Sequence, residues 1–80
     1  MTITVQLFAS YAEALGSKSL QVELPEHATV EALMVALSNF PGASRLPANP
    51  LVAVNLVYAK PDQILTLGDE VAVIPPVAGG

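Results

Sequence analysis

EVAVIPP, residues 70–76, is the most informative stretch of this 80-residue chain. Four consecutive apolar residues, from Val71 to Ile74, predict a strand that lacks the polar alternation of a half-exposed sheet. Pro75 and Pro76 have no backbone N–H and fix φ in the extended range, so they end the pairing of that strand. We therefore expect a last strand over 70–74 and an extended tail over 75–80.

The first strand is predicted by TITVQLF, residues 2–8, which has the period of two of a strand with one covered face. Ile3, Val5 and Leu7 share one side of it. The other side is polar except for Phe8, a large aromatic residue. We expect the first and last strands to pair in the middle of one sheet.

A short helix and a second strand follow. Ser10 and Glu13 fit a capping box, and Gly16 suits the position just after a helix, so residues 10–15 predict one or two helical turns. Residues 18–24 alternate again and predict a second strand, antiparallel to the first.

The main helix is predicted to begin after Thr29, which suits an N-cap, and to end near Asn39. The residues 41–50 contain three prolines and a glycine and predict an irregular loop. The apolar positions of the helix recur at i, i+3, i+4 and i+7, and they are Val30, Leu33, Met34 and Leu37.

The second half of the chain predicts a strand over 51–54, a turn at Asn55 and a short return strand over 57–58. Residues 61–69 form a connection with room for a helical turn. The whole order predicts an α+β fold, in which a mixed sheet of four to five strands packs on one main helix. This is the ubiquitin-like β-grasp arrangement, with one domain over 1–74 and the tail over 75–80.

With one long helix, only one face of the sheet can be covered. The residues on the opposite face then include several large apolar side chains, which predict a docking patch for a partner. The alternative is that the loop over 41–50 folds across them. The expected patch comprises Phe8, Ala72 and Ile74, joined by Tyr58.

Composition excludes several classes of function. The net charge is −4, and the basic residues Lys18, Arg45 and Lys60 are scattered, so we expect binding neither to nucleic acid nor to an anionic membrane. The chain has no cysteine, so any sulfur that it carries cannot sit on a side-chain thiol. The first residues show no pattern of a signal peptide, which predicts a cytoplasmic protein.

The tail, PPVAGG, is stiff at its base and thin at its end. Its six residues reach about 20 Å at ~3.3 Å per residue, and glycine leaves no Cβ to obstruct a narrow channel. This shape suits delivery of the Gly80 carboxylate into the active site of another protein. Activation by adenylation and attack by sulfide would give a thiocarboxylate. The alternative is a frayed end whose glycines are incidental.

Three segments resemble the small subunit of molybdopterin synthase, a family of sulfur carriers: LFASYAEALG at 7–16, VAVN at 52–55 and GDEVAVIPPVAGG at 68–80. The resemblance implies that an adenylating, E1-like enzyme activates Gly80 with ATP and Mg²⁺, and that this chain binds no cofactor itself. The thiocarboxylate then donates sulfur to cyclic pyranopterin monophosphate inside the large subunit, within a heterotetramer. The tail residues that take part are Pro75, Pro76, Val77, Ala78, Gly79 and Gly80.

The resemblance also implies that Phe8, Tyr58 and Ile74 dock on the partners. One departure is Ala12, where many relatives have a basic residue before the glutamate of the first helix. Thiamine-pathway sulfur carriers also end in two glycines, but usually without the two prolines. There are three alternatives: a thiamine-pathway sulfur carrier, a ubiquitin-like protein modifier joined to lysines through Gly80, and a non-catalytic adaptor.

No catalytic or metal site is expected within this chain. His27 is the single histidine, and the chain has no cysteine, so we expect no structural zinc site. Asp62, Asp69 and Glu70 could form a carboxylate pair, but acidic residues in turns are usually solvated.

Overall fold

The computed structural model describes residues 1–8, 10–45 and 50–74. The chain forms a five-stranded sheet on one main helix, which confirms the predicted β-grasp arrangement. The elements are β1 (Thr2–Leu7), α1 (Ser10–Leu15), β2 (Ser19–Glu23), α2 (Val30–Leu37), a 3-10 turn (Ala43–Arg45), β3 (Leu51–Val54), β4 (Val57–Tyr58) and β5 (Val71–Ile74).

The strand order is β2-β1-β5-β3-β4, so the last strand lies in the middle, between β1 and β3. β1 and β5 run parallel, with Val5 opposite Val71, and the other pairs are antiparallel. The expected pairing of the first and last strands is therefore confirmed.

One face of the sheet is covered by α2, because three apolar residues of this helix point into the core. Val30, Leu33 and Leu37 are buried there against Val5 and other core residues of the sheet. Thr29 caps the helix as predicted: the Ala32 N–H donates to the Thr29 hydroxyl at 3.2 Å. At the other end, Ser38 caps the helix, one residue before the predicted end.

Two local predictions were wrong in detail. Ser10 is the first residue of α1, so it lies inside the helix rather than capping it from outside. The connection over 61–69 contains two hydrogen-bonded turns and a bridge between Thr29 and Ile64 in place of a helical turn. Gly16 does end α1: its φ is +74°, and the Ser17 N–H reaches back to the Ala12 carbonyl at 3.1 Å.

Candidate functional site: the outer face of the sheet

β5, the strand that precedes the tail in the sequence, lies at the centre of the sheet. β5 ends at Ile74, and the register places Leu7, the last residue of β1, opposite Val73. The carboxyl end of β5 therefore lies at the end of the sheet where β1 also ends, next to Phe8. The predicted tail residues, 75–80, lie outside the described residues.

The position of Phe8 is fixed by the start of α1. The Tyr11 N–H donates to the Phe8 carbonyl at 3.1 Å, and the Tyr11 side chain is among the most buried in the chain. Burial raises the pKa of the Tyr11 phenol, because an ionised oxygen would be desolvated there. Tyr11 thus anchors α1 to the core while Phe8, three residues earlier, remains half exposed.

The face of the sheet opposite α2, which we call the outer face, carries apolar residues near the tail. Across the strands, Ala72 lies opposite Ala53, and Ala53 lies opposite Tyr58. In the next row, nearer the tail, Leu51 lies opposite Ile74. These five residues and Phe8 form what we call the apolar half: Phe8, Leu51, Ala53, Tyr58, Ala72 and Ile74.

The exposure of the apolar half varies across it. Phe8 is 50% exposed and Tyr58 is 66% exposed, whereas Ala72 and Ile74 are half-buried. The described part of the 41–50 loop therefore leaves the two aromatic side chains accessible. The structure brings together all four residues that the alternation of side chains along the strands predicted on this face. The structure adds Leu51 and Ala53. Alternation alone did not reveal these two, because the face on which they lie depends on the pairing of β3 with β5.

The end of the outer face away from the tail is polar and concave. We call it the polar half: a depression of about 640 Å³ lined by Thr2, Thr4, Gln6, Leu67, Gly68, Asp69, Glu70 and Val71. It adjoins the apolar half directly, since Gln6 lies opposite Ala72. The outer face therefore changes from polar to apolar along the direction in which β5 runs toward the tail.

A hydrogen-bonded network fixes the start of β5. The Asn55 side-chain amide donates to the Asp69 carboxylate at 3.0 Å, and the Glu70 N–H donates to the Asn55 side-chain oxygen at 2.9 Å. The second Asp69 oxygen accepts from the Thr66 N–H at 2.8 Å and from the Thr66 hydroxyl at 3.1 Å. We call this the Asn55–Asp69 network, and it ties the β3–β4 turn to the chain just before β5.

The network holds the pKa of Asp69 below its usual value. The largest cause is the hydrogen bond from the Thr66 backbone N–H, followed by the bond from the Asn55 side chain, and both stabilise the ionised carboxylate. Asp69 is therefore a structural residue. The sequence-based expectation of a solvated turn carboxylate was incomplete, because the partner, Asn55, is 14 residues away in the chain.

The ThiS family matches residues 5–80 of this chain. The chain belongs to the ThiS family. The molybdopterin synthase sulfur carrier subunit of Escherichia coli (strain K12) is 40% identical over 81 residues, which cover 98% of this chain and 99% of that protein. The protein of the same name from Dictyostelium discoideum is 36% identical over 80 residues, covering 95% and 93% of the two chains.

Among solved structures, SAMP1 from Haloferax volcanii is 28% identical and superposes with a TM-score of 0.81, covering 100% of both chains. The ThiS-family match includes the three segments quoted from the sequence, from Leu7 to Gly80. It therefore spans the apolar half and the tail.

In this ThiS-family chain, two of the segments that carry the family resemblance, VAVN at 52–55 and GDE at 68–70, meet at the Asn55–Asp69 network. Gly68, which precedes Asp69, has φ of +94°, a conformation that side chains with a Cβ rarely adopt. These two segments therefore have a structural role, because their hydrogen bonds fix the start of β5, the strand that precedes the tail.

The described residues contain no group of three potential metal ligands and no helix that is long and apolar enough to cross a membrane. His27 is exposed, with φ of +65°. Ala12, the departure from the family pattern, is partly buried against the core. A basic side chain at that position would have to leave this apolar contact to reach water.

Proposed function

We propose that this chain is the sulfur carrier subunit of a molybdopterin synthase and that its Gly80 carboxylate carries the sulfur. The observation that carries the proposal is the nearly full-length similarity to relatives of that name, at up to 40% identity. The inclusion of Gly79 and Gly80 in the family match supports the assignment of the reacting group.

The chemistry that we propose begins with attack of the Gly80 carboxylate on the α-phosphate of ATP, held with Mg²⁺ by an adenylating enzyme. Pyrophosphate leaves, and an acyl-adenylate forms. A sulfur donor then displaces AMP to give the thiocarboxylate. Within the large subunit, in the cytoplasm, the thiocarboxylate donates its sulfur to cyclic pyranopterin monophosphate, and water restores the carboxylate.

The part played by the folded domain is to dock and aim the tail. We propose that the large subunit and the adenylating enzyme bind the apolar half, through Phe8, Tyr58 and Ile74. This is supported by the exposure of the two aromatic rings, since aromatic side chains in contiguous apolar patches commonly anchor protein interfaces. It is also supported by the place where β5 ends, beside Phe8.

The proposal predicts that one additional residue beyond Gly80 abolishes activity, because it moves the activated carboxylate out of register with the enzyme that adenylates it. The variant with an appended alanine should yield no molybdopterin in a reconstituted synthase reaction. Its thermal unfolding should match that of the unextended chain, which serves as the control. Undiminished product from the extended chain, shown by mass to be untrimmed, would contradict the proposal.

A second candidate is a protein modifier that forms an isopeptide bond with lysines through Gly80. The similarity to SAMP1, the small archaeal modifier protein 1 of Haloferax volcanii, favours it. Mass spectrometry of digested cell protein would distinguish the two roles. Trypsin has no site after Lys60, so modification leaves target lysines joined through Gly80 to a long C-terminal fragment of this chain, whereas sulfur carriage leaves none. A thiamine-pathway carrier would instead restore thiamine synthesis in a carrier-deficient strain.

A further inference from the structure

The polar half of the outer face carries the carboxylates of Asp69 and Glu70. Val5 lies opposite Val71 in the parallel pair, so Thr4 and Glu70, the residues before them, lie side by side. On the other side of β1, Thr2 lies opposite Glu23, and its hydroxyl donates to that carboxylate. Of the basic side chains that the structure describes, neither Lys18 nor Lys60 pairs with a carboxylate on this face.

The carboxylates here differ in what they can still bind. Both oxygens of Asp69 are occupied within the Asn55–Asp69 network, and Glu23 accepts from Thr2. Glu70 is exposed, and its backbone makes two hydrogen bonds with Asn55: its N–H donates to the Asn55 side chain at 2.9 Å, and its carbonyl accepts from the Asn55 N–H at 2.8 Å. Among the described residues no group donates to the Glu70 carboxylate, which lies in the depression beside Thr4.

We propose that the polar half receives a cationic side chain, an arginine or a lysine, of the protein that docks on the apolar half. The inference rests on the proposed function, because it assumes that partner. The chemistry of the depression supports it. The Glu70 carboxylate accepts from no described side chain, it lies in a depression of about 640 Å³ that adjoins the apolar half, and a basic side chain is the group complementary to it. A guanidinium can bind a carboxylate and a neighbouring hydroxyl at once, since its donors form a planar fork.

A bound metal ion fits this depression less well. The described residues hold no group of three potential metal ligands, and both oxygens of Asp69 already accept hydrogen bonds within the Asn55–Asp69 network. A single free carboxylate suits one positively charged side chain better than a divalent cation, which prefers several oxygen ligands.

The charged contact would orient the carrier on its partner. Apolar contacts are non-directional, so the apolar half alone allows the carrier to rotate on its partner. Glu70 precedes β5 and Ile74 ends it, so the charged point and the base of the tail lie roughly 13 Å apart at ~3.3 Å per residue. Two fixed points at that separation set the direction in which the tail leaves the carrier.

The test measures association and dissociation rates of this chain with the purified large subunit of molybdopterin synthase from the same organism. Glu70→Lys should weaken the affinity about tenfold, with a slower association rate, because like charges then meet. Glu26→Lys is the matched control: it makes the same change of net charge at an exposed turn residue that does not line the depression. It should change the affinity less than about twofold.

Salt provides the second readout. Raising the ionic strength should weaken the binding of the unaltered chain and of Glu26→Lys to the large subunit. The same change should weaken the binding of Glu70→Lys little or not at all. Equal effects of the two substitutions, or none, would overturn the inference and leave the proposed function intact. If the unaltered chain does not bind the large subunit, the proposed function fails, and the inference fails with it. Unchanged unfolding of Glu70→Lys shows that the network persists.

Discussion

Single residues in this chain separate clearly into structural and surface roles. Asn55 and Asp69 are structural, since their side chains bond to each other and to the backbone around the start of β5. Phe8 and Tyr58 are exposed aromatic residues with no such bonds in the described chain. Substitutions at the first pair should therefore change stability, and substitutions at the second pair should change binding.

Replacement of Asp69 by asparagine should lower the free energy of unfolding by about 1 kcal/mol, because charge-assisted hydrogen bonds from Thr66 are weakened. Urea titrations at neutral pH measure this change. Asp62→Asn is the control, because Asp62 is exposed and lies in a turn outside the network. Equal losses from both substitutions would show that the network does not stabilise the fold.

The same network predicts a dependence on pH. The folded-state pKa of Asp69 is lowered, so its contribution is fully present above the unfolded value, about 3.9, and is lost as the pH falls through the folded value. The difference in unfolding free energy between the unaltered chain and Asp69→Asn should therefore shrink as the solution is made more acidic than about pH 4. A difference that grows on acidification would contradict this assignment.

Leu56 is a residue in an unfavourable backbone conformation. With Asn55 it forms a turn in which both φ values are positive, 52° and 70°, and its side chain is 91% exposed. Hairpin turns of this kind favour Asn-Gly. Leu56→Gly should raise the free energy of unfolding by about 0.5 kcal/mol, after allowance for the greater freedom of glycine in the unfolded chain. Leu67→Gly, at an exposed leucine without positive φ, should give no gain.

At the scale of elements, α2 stabilises the fold through one of its faces. Leu33 is fully buried, whereas Val35, two residues on, is 60% exposed. Leu33→Ala should cost about 3 kcal/mol of unfolding free energy, since it leaves a cavity between α2 and the sheet. Val35→Ala should cost less than about 0.5 kcal/mol. Comparable losses would mean that the helix packs on the sheet by a different face.

The helices and strands could largely be predicted from the sequence, because each apolar pattern has the period of its own element. The period of two over residues 2–8 and the i, i+3, i+4, i+7 pattern after Thr29 are local signals. Contacts between distant segments left no such signal. The Asn55–Asp69 network and the place of Ala53 on the outer face depend on how β3 pairs with β5, which no single segment specifies.

The whole molecule has two different ends. One end of the sheet carries Glu23 and Glu70, and the other carries Phe8 and leads to the tail. The alternation of side chains along β1 and β5 predicted which apolar residues lie on the outer face near the end of β5. The polar depression at the other end could not be predicted, because it is enclosed by the chain over 67–71 as well as by β1.

The proposed docking of this molecule predicts that Phe8→Ala weakens binding to the large subunit by about 2 kcal/mol, roughly thirtyfold, because an exposed aromatic anchor is removed. Its unfolding free energy should change little, since half of the ring is already in water. Val35→Ala, an exposed apolar position on α2, is the control for binding. Retention of full affinity by Phe8→Ala would exclude the apolar half as the docking surface.

In the proposed function the carboxylate of Gly80 becomes the carrier of sulfur. Intact-mass spectrometry after incubation with the adenylating enzyme, ATP, Mg²⁺ and a sulfur donor detects this change. We expect a gain equal to the replacement of one oxygen by sulfur, located by fragmentation at residue 80 and absent when ATP is omitted. An unchanged mass with enzymes that load another carrier, or sulfur located at any other residue, would contradict it.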